Sequence, residues 1–197
     1  MANCSGITSG SIYDCANPIA PGVDQRLLLL NWADVDVITY DVTNPYIITD
    51  ITLKSTKAAF AFQGVRQSLQ PQYSLQPQTV SIGYDHGPIN FSIFDISAAQ
   101  KENIESMAVV PQIAIIQNLN DVGNGDNYFE VYGVGRGLEL ITATRIPGDA
   151  DTAGAFTLEL KTPDDTGKES KMPATWYDGV SFASTLTLVE NLLTPAA

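Results

Sequence analysis

The stretch "NYFEVYGVGRGLELITATR", Asn127 to Arg145, carries three glycines at alternate positions, Gly133, Gly135 and Gly137. A phosphate-cradling loop would follow a buried strand and open a helix whose first amides face the anion. Here Leu138 stands where the third glycine of G-x-G-x-x-G would fall. Leu138-Glu139-Leu140-Ile141-Thr142 then alternates and ends in β-branched residues, and Tyr128 to Tyr132 alternates at period two before the glycines. Both flanks have strand chemistry. Glycines between two strands mark a bulge, a bend or the close approach of another backbone. The stretch is read as sheet, not as a nucleotide loop.

The rest of the chain agrees. Strands are predicted at 26–32, 35–40, 46–53, 58–65, 79–84, 89–96, 112–118, 128–133, 138–144, 156–161 and 185–190. Turn signals separate them: Asn44-Pro45, Gly87-Pro88, Gly123-Asn124-Gly125, Pro147-Gly148-Asp149 and Thr162-Pro163-Asp164-Asp165. About ten short strands divided by such turns indicate an antiparallel β-sandwich or barrel. One segment departs from this pattern. Ser97 with Gln100 forms a capping box, Ile104, Met107 and Ala108 share a face with Ala99, and Pro111 stops continuation. A single short helix is expected over 97–108. The fold class is therefore all-β with one short helix, an N-terminal arm over 1–25 and one domain over 26–197.

A chain of 197 residues is long enough to bury a substantial core without cross-links. Its 22 acidic and 10 basic side chains give a formal charge of −12, which repels phosphate backbones and disfavours stable nucleic-acid binding. The start lacks the basic and apolar regions of an export signal, and no apolar run reaches a membrane span. On that reading Cys4 and Cys15 are expected as reduced thiols.

No motif reads as catalytic. His86, the one histidine, stands beside Asp85, but neighbouring strand residues point to opposite faces, and a turn position before Gly87-Pro88 is expected. Acidic residues near 149–151 and 164–165 lack calcium-loop spacing and read as solvated turns. Trp32 and Trp176 read as core. No enzyme activity, cofactor or metal is expected.

One segment reads as a contact surface. Ser-Leu-Gln-Pro-Gln occurs at 68–72 and again at 74–78, inside a long loop over 66–78 whose one charged residue is Arg66. Pro71 and Pro77 hold it extended, and its glutamines can donate and accept hydrogen bonds. Gln67, Leu69, Gln70, Gln72, Tyr73, Leu75, Gln76 and Gln78 are the candidate inter-subunit residues, taken to lie outside the core. Loops of this kind are functional or disordered.

The run Tyr128 to Pro173, "YFEVYGVGRGLELITATRIPGDADTAGAFTLELKTPDDTGKESKMP", resembles the tail tube (major tail) proteins of long-tailed bacteriophages. A strand ending in Tyr-Gly, a Gly-Leu-Glu strand, an acidic turn, another strand and an exposed Glu/Pro segment occur there in this order. The layout upstream, strands, the loop at 66–78, more strands and then the helix, is similar too. The resemblance implies a virion structural protein, assembled in the bacterial host cytoplasm with other virion proteins. Its subunits would form hexameric rings stacked into a tube, through which DNA passes without sequence-specific binding. It implies no membrane partner. Capsid-decoration or head-fibre proteins share the β-rich acidic character, and a secreted ligand-binding sandwich is the alternative from another class.

Overall fold

The computed structural model describes residues 10, 22–65, 67–77, 82–119, 127–164 and 167–195. Cys4, Cys15, Arg66, Gln78, Asp165, the Gly123-Asn124-Gly125 turn and nearly all of the arm lie outside them. Twelve strands are described: β1 Val23–Asn31, β2 Val35–Tyr40, β3 Ile47–Leu53, β4 Phe60–Gln63, β5 Tyr73–Pro77, β6 Ile82–His86, β7 Ile89–Ile93, β8 Gln112–Asn118, β9 Phe129–Tyr132, β10 Glu139–Arg145, β11 Phe156–Lys161 and β12 Ala174–Trp176. The helices are α1, Ala98–Met107, and α2, Phe182–Asn191.

The all-β expectation holds. A seven-stranded sheet runs β2-β3-β12-β9-β8-β1-β4, a three-stranded sheet runs β10-β11-β7, and β5 pairs with β6. Pairing is antiparallel throughout except between β12 and β3, where Thr175 faces Ile47 and Trp176 faces Ile48.

The centre of the large sheet is buried on both faces. Leu27 and Leu29 of β1, with Ala114 and Ile116 of β8, pack against Phe91, Leu158 and Leu160 of the small sheet. Leu28, Leu30, Ile113 and Ile115 point the other way, into a second core closed by Val189 and Leu192 at the α2 end. Burial on two sides explains why Leu27–Leu30 is a continuous aliphatic run rather than an alternation. Arg26 on β1 and Glu190 on α2 form an ion pair across the second layer.

Only half of the expected capping box forms: the Ser97 hydroxyl accepts from the Gln100 amide at 3.3 Å, but the Ser97 amide donates to Asp95 Oδ1 at 2.9 Å rather than to the Gln100 side chain. Ile104 and Met107 are its buried positions, while Ala99 and Ala108 are exposed. The strand expected at 185–190 is instead α2. Leu186, Leu188 and Glu190 mimic a period of two. Thr185, Val189 and Leu192, however, are buried at helical spacing, and the Ser181 hydroxyl caps the first turn by accepting from the Ser184 amide at 3.2 Å. β1 also begins at Val23, inside the stretch assigned to the arm.

Candidate functional site

The segment after β4 divides into two halves with opposite fates. Leu69 was expected outside the core but is 3% exposed, with its amide donating to Gln25 Oε1 at 3.1 Å. It packs in the first core beside Ile89 and Phe91. Gln70 pairs with Asn90 through two backbone hydrogen bonds of 2.8 and 3.1 Å. Gln67 and Gln72 are exposed, and Gln70 Nε2 reaches the Gln67 carbonyl at 3.4 Å. The carbonyl of Gln72 accepts from the Gly87 amide at 2.8 Å.

From Tyr73 onward the expected loop is a strand. β5 pairs with β6 in the register Tyr73↔His86, Leu75↔Tyr84 and Pro77↔Ile82. Directly opposed residues share a face, so Tyr73, Leu75, Pro77, Ile82, Tyr84 and His86 line one side of this hairpin. Its inner end enters the body and its outer part does not: Leu75 is 53% and Ile82 63% exposed. On the other face Gln76 Nε2 is engaged with Ser74 Oγ at 3.1 Å. Pro77 sits at the outer end of β5, where a missing amide costs little. An open cleft of about 1080 Å³ lies at the start of this segment, lined among others by Gln25, Gln67, Gln70, Gln72, Tyr73 and Glu130.

The edge strands are also decorated with exposed apolar groups: Val37 and Tyr40 on β2, Phe60 on β4 and Ile141 on β10. Unpaired edges carrying such residues are templates for pairing with another chain.

The glycine turn cradles an anion after all, but the anion belongs to the chain itself. The Gly135 amide donates to both oxygens of Glu169 at 3.1 Å, and the Arg136 amide to Glu169 Oε1 at 2.8 Å. A Cβ on Gly135 would stand 2.4 Å from Glu169 Oε2. Gly133 has φ +77°, and a Cβ there would meet Leu138 Cγ at 2.6 Å and the Gln112 carbonyl at 3.0 Å. Glycine is required at 133 by both conformation and close approach, while at 135 a side chain would displace the Glu169 carboxylate. Glu169, read from sequence as part of an exposed segment, is only 4% exposed, and burial pushes its carboxyl above the usual range against the pull of the two amides.

His86 is likewise not a solvated turn residue. It ends β6 at 2% exposure. The Gly133 amide donates to its Nδ1 at 3.0 Å, so the proton of the neutral ring resides on Nε2, which lies 2.9 Å from the Lys171 carbonyl. Burial depresses its pKa from 6.5 to about 4. Asp85 turns the other way, as strand geometry requires, to Lys161 and Lys168 at 3.4 and 3.3 Å. Both lysines also reach Asp164.

The remaining candidates resolve simply. Asp149 accepts from the Asp151 amide and the Thr152 hydroxyl within its own turn. Trp176 is fully buried, whereas Trp32 is a partly exposed side chain whose Nε1 donates to the Val134 carbonyl at 3.0 Å. Among the described residues no group of three or more His, Cys, Asp or Glu side chains could hold a metal, and no helix is long and apolar enough to cross a membrane. Comparison with protein-family models, curated proteins and solved structures found no match.

Proposed function

We propose that this chain is the subunit of a self-assembling tube, the tail tube of a long-tailed phage, in which rings of subunits stack and DNA passes through the lumen. The observation that carries the reading is the half-anchored hairpin. A strand pair that exposes Leu75 and Ile82 on one face gains by burying them against a neighbour. Edge strands with exposed Val37, Tyr40 and Phe60 give the subunit further surfaces that lateral pairing would cover. The charge of −12 suits a conduit that DNA must traverse without sticking. The particular assignment to a tail tube draws on the resemblance over Tyr128 to Pro173.

Electron microscopy of the purified protein tests it. Wild-type protein is expected to form rings or tubes. Leu75→Ser combined with Ile82→Ser is expected to keep its thermal midpoint and fail to stack, because both side chains already face water in the lone subunit. Normal tubes from that variant would remove the hairpin from the interface. Leu69 is left in place because it belongs to the core.

A further inference from the structure

We propose that His86 is an acid-sensitive pin fastening the β5–β6 hairpin to the body, so that protonating its ring frees the hairpin while both cores stay folded. The consequence for assembly rests on the hairpin being the inter-subunit contact; the pin itself does not.

One imidazole joins three pieces of chain. It belongs to β6, its Nδ1 receives the Gly133 amide of the glycine turn, and its Nε2 meets the Lys171 carbonyl on the segment carrying Glu169. Its edge packs on the Tyr132 ring at 5.9 Å. Both ring nitrogens are committed, so an added proton can only go to Nδ1. An N–H would then face the Gly133 N–H, and that buried amide would lose its acceptor.

The charged surroundings give an imidazolium little help. Asp85 on the same strand is engaged by Lys161 and Lys168. Glu169 is occupied by the amides of Gly135 and Arg136. The Lys171 ammonium is turned toward the Tyr40 and Tyr46 rings and the Pro45 carbonyl. On β9 the Tyr132 hydroxyl donates to Glu130, and on β5 Tyr73 is the register partner of His86. The ring accordingly stays neutral in place down to about pH 4, whereas a released histidine takes a proton near 6.5. Protons therefore favour release between those values. Glu169 works in the opposite direction, because its raised carboxyl takes up a proton more readily in the closed form.

Release can be local because neither core cluster includes a residue of β5 or β6. Besides His86, the base of the hairpin is held to the body by the Tyr84–Glu169 backbone pair, by Thr162 against His86, by Asp85 on Lys161 and Lys168, and by the Tyr73 ring near Tyr132. The first two of these run through the same residue or the segment it clamps.

Hydrogen exchange of the unassembled chain at pH 7 and pH 4.5, corrected for the intrinsic effect of pH, tests the pin. Peptides covering 73–77 and 82–86 are expected to open up to several tens of times more often at pH 4.5, from the linkage between the two His86 values. Peptides of β1, β8 and β9 are expected to hold. His86→Asn, which keeps an acceptor near Nδ1 and does not titrate, should abolish the acid response. Unchanged hairpin protection at pH 4.5, an equal loss across the core strands, or the same response in His86→Asn would each overturn the proposal; the wild-type profile decides alone if the variant does not fold. If the hairpin opens as expected yet tubes persist at pH 4.5, the pin stands and the hairpin is not the stacking contact.

Discussion

The glycine turn at 133–137 and the hairpin at 73–86 both stand out in the sequence as irregular, and they meet opposite ends. In the turn, the amides of Gly133, Gly135 and Arg136 are satisfied by His86 and Glu169 of the same chain, far away in sequence. In the outer hairpin the backbone pairs across β5 and β6, and the Leu75 and Ile82 side chains face water. Glycines in the first case let side chains come close; in the second, Pro77 ends β5 and Gln76 bonds Ser74 within the strand. A segment whose polar groups find partners within the chain is held by the fold, while one that keeps apolar groups in water has surface left to bury.

The sharpest way to break this comparison lies within one short segment. Leu69→Ala empties a core site and should cost about 3 kcal/mol in urea denaturation. Next comes the glycine turn: Gly133→Ala, at φ +77° and 2.6 Å from Leu138 Cγ, should cost about 2 kcal/mol by the same measurement. If it were neutral, the close approach there would be softer than the geometry indicates.

Third is pH. The folded His86 resists a proton that the unfolded chain accepts near 6.5, so its contribution is complete above that value and declines as pH falls toward 4. Between pH 7 and 5 the ring alone should remove about 2 kcal/mol. Glu169, raised by burial, carries the opposite sign and reduces the net slope. His86→Asn should flatten the profile in this window, and a wild-type profile already flat there would mean the ring titrates normally. Smallest is Leu75→Ala, expected within about 0.5 kcal/mol of wild type because its side chain is already exposed. A cost like that of Leu69 would place the outer hairpin against the body and dissolve the contrast.

Much of the fold was legible because periodicity and turn chemistry agree over most strands. β2, β8 and β11 have the predicted bounds. α1 was legible from Ser97 and Gln100. What escaped has physical reasons. β12 is three residues long, too short for a period, and β5 was obscured by the prolines that flank it. α2 hid because Leu186 and Leu188 imitate an alternation. Exposure of Leu75 was anticipated while burial of Leu69 was not, since nothing local separates two Ser-Leu-Gln-Pro-Gln repeats. Pairing of Glu169 with the glycine turn spans more than thirty residues and leaves no local trace, beyond three glycines that needed something close to them.

The shortest strand has a consequence for the order in which the molecule can be made. β12 lies between β3 and β9, so the β2–β3 pair joins the rest of the large sheet through residues 174–176. Strands synthesised first must wait for one of the last before that sheet closes. Until Trp176 has been translated, β3 and β9 lack the strand that joins them. A nascent chain therefore cannot set the edge strands β2 and β4 at their final separation before residues 174–176 have been made.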